Sequence, residues 1–318
     1  MIYTCTTNPS LDYYLTFDSI KFGTNNRSEM EMYEAGGKGV NVSIVLNNFQ
    51  IPNSCLGFLG GFTKDYYLSY ISNFPNIQPL FTTISDNTRI NVKLMDSMYE
   101  TSLNAKGPHI TDEEFEKFRT RLNRIYKNDF LVISGNIQDE IKEKMINEIK
   151  TLSEEGVNIV LDVDDDVTDA CVQFKPFIVK INDFYLKENE DVLEVGKRLI
   201  QEGVQYVLYS NAGKPSYLFS SEMILKCKNL ENNLINSTGS SDSMVAGALY
   251  GVIRGADEIE SFKYANAASM ATSLTNDLGS KEKIEELYNS IEVEKLWLKK
   301  YFRYYLFYYF CVAVIVRM

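Results

Sequence analysis

Asp129-Phe130-Leu131-Val132-Ile133-Ser134, a run from Asp139 to Glu155, and Val157-Asn158-Ile159-Val160-Leu161-Asp162 form the stretch that decides the fold. The first and last pieces are short, apolar and β-rich, which suits buried strands, and the middle piece carries a helical pattern. The rhythm continues outward. Met1 to Thr6, Phe177 to Ile181 and Tyr206 to Ser210 read as strands, and Gly39 to Phe49, Asp112 to Tyr126 and Val192 to Glu202 as helices. Strands separated by helices in this way predict an α/β chain with a mainly parallel central sheet covered on both faces. Ligands of such sheets sit beyond the carboxyl ends of the strands, where loops vary without disturbing the core. Two stretches break the rhythm, Asp12 to Tyr33 and Arg89 to Lys106. Both alternate polar and apolar residues without a helical period, and they predict a small β lid.

Composition narrows the function. The chain has 318 residues with 45% hydrophobic content, enough to bury a substantial core. A formal charge of −11 argues against a nucleic-acid surface, which normally needs a basic face. An anionic ligand must then be held by a few local cations and not by the overall field. Cys5, Cys55, Cys171, Cys227 and Cys311 are scattered and show no CxxC spacing. They read as free thiols of a reducing, cytoplasmic compartment, not as a disulfide frame or zinc site. The opening Met1-Ile2-Tyr3-Thr4-Cys5 lacks a basic region followed by a long apolar run, so no signal peptide is expected.

The chemistry is concentrated in Asn236 to Gly247 (NSTGSSDSMVAG), where a polar, glycine-bearing loop delivers Asp242 to a helix read from Met244 to Val252. A helix N-terminus offers unpaired N–H groups and the positive end of the dipole, so it holds anions. A carboxylate set there is suited to taking a proton from a hydroxyl while neighbouring N–H groups hold a phosphoryl group. Four further motifs accompany it: Thr7-Asn8-Pro9-Ser10-Leu11-Asp12, Glu34 to Ser43 (EAGGKGVNVS), Asn87 to Lys93 (NTRINVK) and Leu131 to Gly135. Asp12 follows a strand and a turn, a good place to accept hydrogen bonds from ligand hydroxyls. Gly36, Gly37 and Gly39 permit close backbone approach, and Asn41 opens the next helix toward the same space. Arg89 can fork two N–H donors onto a phosphate.

Together, over residues 1 to 295, these motifs resemble the ribokinase-like sugar kinases, and among them the phosphofructokinase B family. The resemblance implies a ribokinase-like three-layer fold as a kinase domain over residues 1–296. Its lid would come from about 12–33 and 89–106, closing over the sugar and pairing with the lid of a second subunit. It also implies ATP as phosphoryl donor, Mg2+ bridging the nucleotide phosphates, and a ketohexose phosphate as acceptor. Thr101 to Ile110 (TSLNAKGPHI) and Lys175 to Lys180 (KPFIVK) lean toward fructose 1-phosphate, giving fructose 1,6-bisphosphate, with tagatose 6-phosphate as the alternative acceptor. By the same resemblance Asp242 is the base, Gly239, Ser240 and Ser241 form the anion hole, and Asp12, Gly37, Lys38, Asn41 and Arg89 bind the sugar phosphate. Arg27 is a further candidate for that phosphate. Lys180, Asn182, Ser210 and Gly213 fall to the nucleotide.

Departures from the family pattern gather at the nucleotide end. Its Lys-Pro-Asn-x-x-Glu becomes Lys180-Ile181-Asn182-Asp183-Phe184-Tyr185, losing the glutamate that organises magnesium, and Asp183 is the candidate substitute. Pro215 stands where the nucleotide loop has a glycine and cannot donate an N–H. Asn136-Ile137-Gln138 replaces Ser-Leu-Pro, and Ser241 replaces the glycine before the catalytic aspartate. If position 241 needs a positive φ, serine costs on the order of 1 kcal/mol there. These changes support a second reading, a sugar-phosphate-binding relative with impaired catalysis. Two other features have bland readings: His109 lacks partner ligands, and Asp162, Asp164, Asp165 and Asp166 suit a solvated acidic loop. The tail, Trp297 to Met318, carries a run of about a dozen apolar and aromatic residues, short of the roughly 20 that span a bilayer. A partner or membrane-surface contact, a tail packed on the fold, and an aberrant coding end all stay open for it.

Overall fold

The computed structural model describes residues 1–211, 213–228 and 238–296. The tail from Trp297, Ala212 of the nucleotide loop, and Asn236-Ser237 of the catalytic loop lie outside them. In chain order the first strands are β1 (Ile2–Thr6), β2 (Ser10–Thr16), β3 (Met30–Gly36), β4 (Asn53–Gly60), β5 (Ile77–Pro79), β6 (Thr82–Ile84), β7 (Arg89–Met95) and β8 (Glu100–Leu103). There follow β9 (Phe130–Ser134), β10 (Asn158–Asp162), β11 (Ile178–Ile181), β12 (Tyr206–Tyr209), β13 (Ser216–Phe219), β14 (Ile224–Cys227) and β15 (Val293–Leu296). The helices are α1 (Lys38–Asn48), α2 (Gly61–Ile71), α3 (Asp112–Leu122), α4 (Asp139–Glu154), α5 (Asp165–Val172), α6 (Val192–Gln201), α7 (Ser240–Ile253), α8 (Glu258–Ser273) and α9 (Lys281–Tyr288).

The large sheet runs β15-β14-β13-β12-β11-β10-β9-β1-β4-β5, with β6 beside β4. Pairings from β5 to β12 are parallel, and β13 to β15 add an antiparallel edge. The five strands read from the sequence all lie in its parallel part. The stretch 129–162 forms the expected unit: β9 and β10 pair in parallel, Phe130 against Asn158 through Ser134 against Asp162. That register sets Ser134 and Asp162 side by side at the carboxyl edge. Successive side chains of a strand alternate faces, and here both faces are apolar. Leu131, Ile133, Ile159, Leu161 and Val179 pack in one core, while Val132, Val160, Ile178 and Leu208 pack in the other.

Helices cover each face for readable reasons. In α4, Ile141, Met145, Ile149 and Leu152 recur at helical spacing and are the buried residues, beside α3's Phe115 and Phe118. On the other face α7 and α8 press together through Gly247 and Gly251. A methyl group at Gly247 would stand 2.4 Å from the Tyr264 carbonyl oxygen, so bulk is excluded there. Two helix boundaries differ from the sequence reading by more than one residue. Helix α3 stops at Leu122, not Tyr126, because the chain turns to bury Ile125 while Tyr126 stays exposed. Helix α7 starts at Ser240, not Met244, because Gly239 adopts φ 76° and caps it.

A second sheet, β3-β2-β7-β8, stands apart from the first. Its β2 pairs with β7 in parallel and with β3 antiparallel, which sets Asp12 between Asn91 and Glu34. Gly36-Gly37 joins β3 directly to α1.

Candidate active site

The N-termini of α1 and α7 meet above the carboxyl ends of β10 and β11. Gly37 makes the turn into α1 at φ 138°, where a Cβ would lie 2.8 Å from Thr6 Cγ2, so this position requires glycine. Asn41 on that helix donates from Nδ2 to Asp242 Oδ2 at 2.8 Å. Asp242 is the third residue of α7 and only 4% exposed. Burial pushes its carboxyl up to about 6, and the nearby Asp162 adds to the rise, against the lowering pull of Lys38, Asn41 and Lys180.

Asp162 ends β10 and is 4% exposed. Its Oδ1 accepts from Lys38 Nζ at 3.3 Å, and its Oδ2 is buried without a hydrogen-bond partner among the described residues. The solvated-loop reading therefore fails at Asp162, whose strand pairing carries it inside; Asp165 and Asp166 are exposed as expected but open helix α5 instead of lying in a loop. Asp164 accepts from Asn136 Nδ2 at 2.9 Å. Burial works against the charge on Lys38, but Asp162 and Asp242 outweigh it and raise its pKa. Lys180, at the end of β11 and 4% exposed, is lowered by burial despite the same two carboxylates. No carboxylate comes within 4.0 Å of Lys180 among the described residues. The result is a buried set of two acids and two lysines.

Asp12, 8% exposed, receives Ser10 Oγ at 2.6 Å and Asn91 Nδ2 at 2.9 Å, both on Oδ1. It lines a cavity with Tyr14, Glu34, Asn41, Thr238 and Asp277. Burial, then Asp277 and Asp12, raise the Glu34 carboxyl. A cavity rimmed by carboxylates suits hydroxyl donors and repels phosphate. Cationic charge lies elsewhere: Arg89 begins β7 and donates to Ala105 O at 2.9 Å and Asn8 O at 3.0 Å, while its Nε is buried without a partner among the described residues. Its charge has no carboxylate partner among the described residues. Arg27 is exposed on the connection from β2 to β3.

Of the residues expected at the nucleotide end, Lys180 joins this cluster and Asn182, Ser210 and Gly213 do not. Asn182 Oδ1 accepts from Phe184 N at 2.9 Å, capping a short turn. Asp183 receives Tyr209, Lys214 and Asn211, so it holds the loop containing Ser210 and Gly213 together. Tyr185, where the family pattern has glutamate, donates to Asp169 at 2.5 Å. Ser240 Oγ meets Ser269 Oγ at 2.8 Å. Ser241 has helical backbone; the left-handed residue is Gly239, so the strain considered for serine at 241 is absent. His109 forms an exposed 3.2 Å pair with Glu140. Among the described residues no group of three or more His, Cys, Asp or Glu side chains could hold a metal ion, and no helix is long and apolar enough to cross a membrane.

Known proteins resemble this chain along most of its length. The model of the pfkB family carbohydrate kinases matches residues 8–283. A 1-phosphofructokinase of Bacillus subtilis is 32% identical over 305 residues, covering 93% of this chain and 100% of its own. A tagatose-6-phosphate kinase of Staphylococcus epidermidis is 28% identical, covering 92% and 99%. The crystal structure of phosphofructokinase-2 from Escherichia coli in complex with substrates and products shares the fold, with TM-score 0.86 at 21% identity over 91% of this chain and 98% of that one.

Proposed function

The chain belongs to the pfkB family of carbohydrate kinases, and on that premise we propose that it transfers a phosphoryl group from ATP to fructose 1-phosphate, giving fructose 1,6-bisphosphate. The observation that carries this is Asp242, buried at the α7 N-terminus and held by Asn41 beside Lys38. Asp12 accepts from sugar hydroxyls, and Arg89 and Lys38 attract the phosphate the sugar already bears. With its pKa near 6, Asp242 is ionised at neutral pH and takes the proton of the attacking hydroxyl. Backbone N–H groups at Gly239 to Asp242 meet the charge that develops on the phosphoryl group. Asp162, with its buried unpartnered Oδ2, fits a magnesium ion, which when bound neutralises phosphate charge.

The small sheet closes over the sugar in this reading. Its exposed Met30, Met32, Tyr33 and Leu103 offer a surface for the same sheet of a second subunit. The buried, unpaired Cys5, Cys55, Cys171 and Cys227 suit a cytoplasmic enzyme. A coupled ADP-release assay with fructose 1-phosphate and tagatose 6-phosphate tests the acceptor: faster turnover on the second sugar would reassign it. The reading of a binding protein without turnover draws on Tyr185 and Pro215, and absence of ATP binding by calorimetry would favour it.

Two consequences are measurable. Below pH 6 the profile of kcat is expected to fall toward tenfold per pH unit, as Asp242 takes up a proton; a flat profile down to pH 5 would remove Asp242 as the base. Arg89→Ala is expected to raise KM for the sugar phosphate by about tenfold or more, with KM for ATP little changed, because a guanidinium without a carboxylate partner is lost. Equal effects on both substrates would separate Arg89 from the acceptor.

A further inference from the structure

Asp162, Asp242, Lys38 and Lys180 gather at the carboxyl ends of β10 and β11, and one ion pair forms among them: Lys38 Nζ donates to Asp162 Oδ1 at 3.3 Å. The other oxygen, Oδ2, has no hydrogen-bond partner among the described residues and is closed to solvent. A cation entering from the site therefore meets Oδ1, which Lys38 covers. The two lysines differ in freedom. Lys180 is 4% exposed on β11, whereas the side chain of Lys38, the first residue of α1, is 45% exposed. Asp242 and Asp164 also pull on the Lys38 charge, so it has other anions to turn to.

Magnesium seeks carboxylate oxygen, and two cations crowded on one carboxylate repel each other. Lys38 and the metal must then compete for Asp162. The lysine has the freedom to leave, and its turn, Gly37-Lys38, opens the helix that carries Asn41 to the base.

We propose that Lys38 is a displaceable counter-ion of Asp162: it holds the carboxylate in the substrate-free protein, yields it to magnesium, and turns to the phosphate of the sugar substrate. This rests on the kinase reading above. Lys38 keeps its proton throughout, and no covalent bond changes. Metal and sugar phosphate then strengthen each other's binding, because the sugar phosphate draws Lys38 off Asp162 and the metal drives it toward the sugar phosphate. Such coupling holds the metal back until the acceptor is present, which limits transfer of the phosphoryl group to water.

Binding of Mn2+, which takes the same oxygen ligands as Mg2+, is read from the electron paramagnetic resonance of the free ion. The unaltered full chain, Lys38→Met and Lys180→Met are each titrated with and without fructose 1-phosphate. The sugar phosphate is expected to tighten Mn2+ binding to the unaltered chain by about 5- to 30-fold. Lys38→Met should bind Mn2+ more tightly by a similar factor with no sugar present, and the sugar phosphate should then add less than about twofold. Lys180→Met removes an equal charge that has no carboxylate within 4.0 Å among the described residues, and its effect should be clearly smaller. Equal Mn2+ affinity in Lys38→Met and the unaltered chain would overturn the inference. An equal gain in both lysine variants would overturn it too, by revealing a general effect of charge. If the unaltered chain phosphorylates fructose 1-phosphate and Lys38→Met leaves Mn2+ affinity unchanged, only this inference falls. If the unaltered chain transfers no phosphoryl group and the sugar phosphate leaves Mn2+ binding unchanged in all three proteins, the kinase reading falls and takes the inference with it.

Discussion

Asp242→Asn is expected to lower kcat by about 10²–10⁴-fold, the usual worth of a positioned base, while KM for the sugar phosphate changes little. The amide keeps an acceptor for Asn41 but cannot take the hydroxyl proton. The same substitution should make the protein more stable at neutral pH, which a merely damaging change would not do. The folded carboxyl, near 6, lies above the ordinary aspartate value of about 3.9. Stability from this group is therefore fully present below about pH 4 and is lost as pH rises through about 6. At pH 7 the buried charge costs on the order of 1–3 kcal/mol, which asparagine removes. Chemical denaturation at pH 7 and pH 4 checks the sign: the variant's advantage should be present at the first and largely absent at the second.

Gly57→Ala is expected to be among the most damaging single methyl groups in the large sheet. Gly57 lies in β4 with φ 147°, and a Cβ there would stand 2.0 Å from the Thr6 carbonyl oxygen, a backbone atom of the adjacent β1. Backbone cannot swing aside as a side chain can, so β1 and β4 must separate where β1 leads to Asn8 and Asp12. A loss of about 3 kcal/mol or more follows, lowering Tm by roughly 6–12 °C. Thermal unfolding of the variant within 2 °C of the unaltered protein, by the same scaling, would show that the strand pair yields easily.

What the sequence disclosed follows from how each element is stabilised. Strands β9 to β12 were legible because both faces are buried, which leaves uninterrupted apolar runs, and α4 because its apolar residues keep helical spacing. Strand β4 was missed. Its segment, Asn-Ser-Cys-Leu-Gly-Phe-Leu-Gly, is polar at one end and broken by two glycines, one of them needed for close approach to β1. Helix α8 was missed because it is lined with Ala and Ser packed against α7 and shows no polar face to set a period.

In the site, Asp242 and Asn41 were nominated separately, 201 positions apart, and their hydrogen bond is a tertiary fact. Asp162 was lost among neighbouring aspartates. The available signal was its position at the end of a predicted strand, in register with Ser134. The backbone at position 241 stayed open because sequence does not reveal which residue of a glycine-bearing turn takes the left-handed conformation; here it is Gly239.

The most direct measurement is phosphorus NMR of the purified full chain with ATP, magnesium and fructose 1-phosphate, run in parallel with Asp242→Asn. ADP and a second sugar-phosphate ester are expected to appear together in the unaltered protein, at a rate at least about 10²-fold above the variant. No transfer to fructose 1-phosphate or to tagatose 6-phosphate, or equal transfer by both proteins, would contradict the kinase reading.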